Sequence, residues 1–207
     1  MTKLYKLTTQ DNKTRPGYSN ECVWGEGVTH SGTGEGDLCG PGYIHAYTDP
    51  LLAVLLNPIH ANYADPKLWI AEGDIAIDQS DKIGCNSLTT IKEIDLPVIT
   101  NEQRCIFAIL CVKEIGVDIP AWNSWADDYL SGKDRTAWAA EAAARAAEAA
   151  AWAAAWADAA ARAARAAAWA VARAAEAVWA AEAAWAVART ANNIDLAAIA
   201  HKAMEYK

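Results

Sequence analysis

The chain has 207 residues, a formal net charge of −8, 53% hydrophobic residues and five cysteines (Cys22, Cys39, Cys85, Cys105, Cys111) with no CxxC pair. That length holds one ordinary core, or a small domain with an appended helical element, and the odd cysteine count argues against a disulfide framework or zinc ribbon. The acidic balance disfavours nucleic acid as a partner; with no apolar run of about 18 residues and no apolar amino-terminal stretch, a cytoplasmic protein with no membrane association is expected.

Lys3 to Thr8 reads as a strand, and Pro16 to Gly42, which carries eight of the twelve glycines, reads as loop. The period of two in Tyr43-Ile44-His45-Ala46-Tyr47 places Tyr43, His45 and Tyr47 on one face of a short strand. Thr48 or Asp49 can cap a helix that opens at Pro50 and ends at Asn57-Pro58. Strands follow at Leu68–Ile77 and Leu88–Leu96, separated by a polar turn region at Asp78–Asn86. Thr100 and Gln103 form a capping-box pattern ahead of the apolar run Cys105–Ile115, a helix expected to pack on the sheet and to close at Gly116. Pro120 introduces a helix over Ala121–Leu130 with Trp122, Trp125 and Tyr129 along one side, and Gly132 ends it. Asp134 or Thr136 can cap the next helix.

From Ala137 to Ala191, 35 of 55 residues are alanine, and no Gly, Pro or Asn interrupts them. Alanine has the highest helix propensity, so this segment is helical. Its large residues fall into three stripes: Trp138 to Trp156, Asp158 to Glu176, and Trp179 to Arg189, each rotated from the last. Absent breakers favour a continuous rod; the alternative is two or three helices with a sharp bend near Ala157 or Ala177. Glu141–Arg145 and Asp158–Arg162 suit i,i+4 ion pairs, and Arg165–Trp169, Trp169–Arg173 and Trp185–Arg189 suit cation–π pairs. Alanine faces allow close helix approach, so a homo-oligomer is expected, with Trp138, Trp152, Trp156, Trp169, Trp179 and Trp185 at its interface. The fold class is α+β: a head domain over 1–132, then an alanine-rich helical oligomerisation element over 133–207.

The glycine-rich run Gly25 to Gly42 is a poor match to phosphate-cradling loops, because Glu26, Glu35 and Asp37 would repel a phosphate. Cys39, His45 and His60 follow no known metal-ligand spacing, and no metal or other cofactor is expected. Tyr5-Lys6, then Leu38-Cys39-Gly40-Pro41-Gly42-Tyr43-Ile44-His45-Ala46 with Asp49-Pro50-Leu51, and Lys82-Ile83-Gly84-Cys85 together resemble an uncharacterised domain of phage and bacterial proteins. The resemblance covers roughly residues 3–96, departs from the pattern at Tyr43-Ile44, and implies a phage or prophage source and an α+β head, without an activity. The leading expectation is a non-enzymatic phage-type accessory protein that oligomerises through its alanine- and tryptophan-rich helices and binds a host protein or a nucleotide-like small ligand, with Tyr43, His45, Tyr47 and Tyr63 as ligand-binding residues; a role against host defence rests on the implied phage source alone. A virion-associated structural role is the second reading. The third follows from residue types alone: His45, Tyr47 and Glu93 are those of an ADP-ribosyltransferase site.

Overall fold

The computed structural model describes residues 2–153, 159–173, 177–189 and 194–206, leaving aside the side chains of residues 150–153 and 159. The fold is α+β, with seven helices, a five-stranded antiparallel sheet and a two-stranded ribbon among the described residues. It divides into two compact units, Met1–Val98 and Ile99–Lys207.

The first unit is built on strands β1 (Lys3–Thr8), β6 (Lys67–Gln79) and β7 (Lys82–Ile94), with β4 (Thr29–Ser31) and β5 (Ile44–Ala46) both pairing β7. β6 and β7 form one long hairpin whose tight turn lies at Ser80-Asp81, so the expected turn over Asp78–Asn86 is mostly strand. Tyr5 exchanges two backbone hydrogen bonds with Tyr47, at 2.8 and 2.9 Å. That bridge links the end of β5 back to β1, so β1, β6, β7 and β5 form a closed circuit of ladders. Register shifts in β6 after Ile70, Asp74 and Ile75 supply the bending that closure requires. Leu4, Trp24, Ile44, Ala46, Ala71, Ile83, Cys85 and Leu88 form its core. The glycine-rich stretch is more ordered than its composition suggests: β2 (Lys13–Thr14) pairs β3 (Cys22–Val23), and β4 adds to the main sheet.

Helix α1 (Pro50–His60) is capped by Asp49, whose carboxylate accepts from Leu51 N at 2.8 Å. It does not stop at Pro58. Proline there removes only the bond to Val54, and the last turn is sealed by Ala61 N and Asn62 N donating to Asn57 O at 3.0 and 2.6 Å. The extra turn carries His60 beneath Tyr47.

In the second unit α2 (Asn101–Glu114) starts at the expected capping box, and Gly116 closes it at φ +66°. It packs within this unit against α5 (Ala159–Ala172), α6 (Ala177–Ala188) and α7 (Leu196–Met204). Cys105–Val112 is buried throughout, too continuous an apolar surface for a one-sided contact. The boundary expected from the sequence is at 132, where glycine punctuates the chain, and the two compact units divide between Val98 and Ile99. Helix α3 (Pro120–Leu130) buries Trp122, Trp125 and Tyr129 as the spacing predicts.

The alanine-rich segment is not a rod. Helix α4 (Ala137–Ala153) lies against α5, and α5 against α6. Ala140, Ala144 and Ala147 of α4, Ala163, Ala164, Ala167 and Ala168 of α5, and Ala181, Ala183 and Ala184 of α6 are fully buried. Alanine lets helix axes approach closely, and burial of three such faces outweighs the local preference for an unbroken helix. The described spans are Ala137–Ala153, Ala159–Ala172 and Ala177–Ala188, and the first change of stripe, near Ala157, lies outside the described residues.

Candidate functional site

A cavity of about 510 Å³ in the first unit gathers all four predicted ligand-binding residues, Tyr43, His45, Tyr47 and Tyr63. Lys6, Arg15 and Lys82 also line it, and among the described residues no carboxylate does. Residues 1–98 hold seven Lys and Arg against thirteen Asp and Glu. Three of those seven cations meet in one cavity of an otherwise acidic unit.

Each side chain is placed by a rigid element. Lys6 shares its face of β1 with the core residue Leu4 and with Thr8. Its Nζ donates to His45 O at 2.6 Å and stands 5.1 Å from the centroid of the Trp24 ring. Arg15 Nη2 donates to Gly40 O at 3.1 Å, and Lys82 Nζ contacts Cys39 Sγ at 3.1 Å. Among the described residues none of the three forms an ion pair, whereas Lys13 and Lys67 outside the cavity pair with Glu21 and Glu93 at 2.9 and 3.4 Å. Arg15 also has a left-handed backbone at φ +53°, a conformation that glycine would adopt at less expense.

The field of these cations is visible in their neighbours. Burial, then the Arg15 charge, lowers the Lys6 pKa from 10.5 to about 8. Burial, then Lys6, lowers that of His45 from 6.5 to about 4, against the opposing pull of its hydrogen bond with Leu38 O. His45 is therefore neutral near pH 7. Burial, then the Asp81 charge, raises the Tyr47 phenol well above its ordinary value, and burial raises that of Tyr63.

On the Tyr47 wall a second polar chain runs inward. Tyr47 Oη lies 3.2 Å from His60 Nδ1, and His60 Nε2 lies 3.2 Å from an Asp81 carboxylate oxygen, with both side chains of the latter pair under 10% exposed. The His60–Asp81 approach is close but outside hydrogen-bond geometry, since Nε2 has no aligned partner. Asn57 holds the Tyr63 backbone at both its N–H and its C=O, at 3.2 and 2.9 Å, which fixes the loop after α1.

Glu93 does not join the site. It pairs in register with Trp69, nine residues along β7 from Gly84, the partner of His45; that is roughly 30 Å of strand. It faces outward with Lys67. The three residues of the transferase pattern are thus not brought together. Cys39, His45 and His60 all line the cavity, but His45 Nε2 and His60 Nδ1 are engaged by Leu38 O and Tyr47, and no metal-holding group of three or more exists among the described residues.

Of the expected interface tryptophans, Trp138 is 76% exposed and Trp185 is 36% exposed, while Trp169 and Trp179 are half-buried. Arg173 stacks on both Trp169 and Trp179, with Cζ 4.9 and 5.4 Å from the ring centroids, and Arg189 stacks on Trp185 at 5.1 Å. Arg165 turns instead to Glu148 at 3.6 Å, and Glu141–Arg145 forms at 3.3 Å. Trp156 and Asp158 lie outside the described residues, and the Trp152 side chain is not described. No described helix is long and apolar enough to cross a membrane.

Sequence reasoning missed Lys6, Arg15, Lys82 and Asp81. An inward signal existed for Lys6 alone, in its alternation with Leu4 and Thr8 along β1. The three segments that carry the family resemblance supply Lys6, then Cys39 with His45, then Lys82, and all of these line the same cavity. Comparison with protein-family models, curated proteins and solved structures finds no match for this chain.

Proposed function

We propose that the first unit is a non-enzymatic binding module for a small anionic ligand carrying a flat ring, of the nucleotide-like class. One observation carries this reading: three cations without carboxylate partners meet tyrosine and histidine rings in a single cavity. Buried or half-buried positive charge is unfavourable unless an anion answers it, and aromatic walls give a planar ring its orientation. The cavity volume of about 510 Å³ lies within the ordinary range for small-ligand sites. Isothermal titration with NAD, ADP-ribose and cyclic nucleotides tests it. Saturable one-to-one binding that weakens in Arg15→Ala and at high salt supports the module; absence of heat from every compound removes it.

A second, independent reading concerns the second unit. Trp138 and Trp185 are exposed large apolar groups on helices whose alanine faces are turned inward, so self-association would run through the tryptophans. Light scattering after size exclusion decides it: a 22 kDa particle at micromolar concentration excludes a stable oligomer. An accessory role in a phage-infected cell is compatible with both readings and rests on the sequence resemblance.

A further inference from the structure

We propose that Lys6 captures the carbonyl group of an aldehyde or ketone that also bears a phosphate or carboxylate, forming an imine inside the cavity. The inference builds on the anionic-ligand reading above. Lys6 is 7% exposed yet lines the cavity, so its amine is shielded from bulk water but open to an occupant. It sits on a strand flanked by β6 and by the Tyr47 bridge, which fixes its position. Its hydrogen bond to His45 O holds one N–H, so the lone pair of the neutral amine is turned away from that carbonyl. Arg15 and Lys82 remain to hold the anionic group.

A lysine that is desolvated and set near another cation is the arrangement that activates an amine as a nucleophile. With its pKa at about 8, roughly one Lys6 in ten is neutral at pH 7, against roughly one in several thousand for an ordinary lysine. The chemistry balances without a redox partner. The amine nitrogen attacks the carbonyl carbon, the C=O π bond opens, and the resulting carbinolamine loses its hydroxyl and the nitrogen proton as water to leave C=N. Tyr47 and His60, hydrogen-bonded to each other on the cavity wall, are the proton-carrying pair available for that dehydration.

The test is reductive trapping of the full-length protein with glycolaldehyde phosphate and sodium cyanoborohydride, read by peptide mapping. The expected map has one dominant adduct, on Lys6, formed about tenfold faster than on any other lysine and about tenfold faster than with unphosphorylated glycolaldehyde. Its rate should rise with pH to a midpoint near 8. Adducts spread over Lys3, Lys13, Lys67 and Lys133, or a midpoint above 10, would overturn the proposal. Lys6→Arg, which retains the cation, should abolish the dominant adduct while leaving the circular dichroism spectrum unchanged; persistence of that adduct would also overturn it. Nucleotide heat without a Lys6 adduct overturns the imine alone, and absence of both overturns the ligand reading as well.

Discussion

Tyr47 Oη lies 3.2 Å from His60 Nδ1, and the two rings stack with centroids 5.9 Å apart at an interplanar angle of 21°. The contact depends on α1 continuing past Pro58, and it ties the carboxyl end of that helix to the strand that closes the sheet. Removing the hydroxyl in Tyr47→Phe leaves a buried imidazole nitrogen without a partner beside Asp81. The variant should lose about 1–3 kcal/mol, read from the urea midpoint at pH 7. A loss below about 0.5 kcal/mol would mean that the hydroxyl is not holding His60.

His45 makes the first unit sensitive to acid. Its folded pKa of about 4 lies below the ordinary value of 6.5, so between those values the unfolded chain takes up a proton that the folded chain refuses. Its contribution to stability is full above pH 6.5 and is lost as pH falls through about 4. Urea midpoints at pH 7, 5.5 and 4 should therefore decline, and His45→Gln should flatten the part of the decline that lies above the carboxylate range. An equally steep decline in the variant would place the acid sensitivity elsewhere.

Lys6 is the opposite kind of liability at neutral pH. With its folded pKa at about 8 against 10.5, wild-type stability should rise as pH increases between those two values, where only the unfolded chain holds the extra proton. Lys6→Met removes that penalty of roughly 3 kcal/mol and forfeits a hydrogen bond of about 1 kcal/mol. The net gain at pH 7 is about 2 kcal/mol, and it should vanish above pH 10.5, as guanidinium unfolding at the two pH values would show. A stabilising mutation at a cavity residue is the signature of a site kept for binding rather than for stability.

The alanine helices offer a separate check. Ala164 is fully buried, and its carbonyl accepts from Trp122 Nε1 at 2.8 Å, linking α5 to α3. Ala164→Leu should destabilise by about 1–3 kcal/mol because the close-packed face cannot admit three more carbons. Val178→Leu, at a position 43% exposed, should stay within about 0.5 kcal/mol. In an isolated rod the two changes would be equally mild.

Short-range physics was legible in the sequence, and long-range packing was not. Asp49, Thr100 with Gln103, Gly116 and Gly132 mark helix ends through bonds made within a few residues, and the structure has each of them where the motif stands. The period of two in residues 43–47 identified three cavity residues for the same reason. Lys82 and Asp81 were hidden because they lie at the turn of a hairpin that runs longer than the hydrophobic pattern suggests. Arg15 was hidden because its place depends on the ribbon pairing of β2 with β3. The break of the alanine segment was hidden because it arises from burial against α2, a partner more than forty residues away in the chain. Only the rotation of the tryptophan stripes hinted at it.

The ligand site proposed for this protein is the cavity between β1, β5 and the loop after α1. Chemical-shift mapping of the uniformly labelled full chain with a nucleoside diphosphate locates binding directly. Saturable shifts confined to Lys6, Arg15, residues 43–47, Tyr63 and Lys82 are expected. Shifts centred on Lys92–Asp95 or on residues 137–189, or none at millimolar ligand, would contradict it.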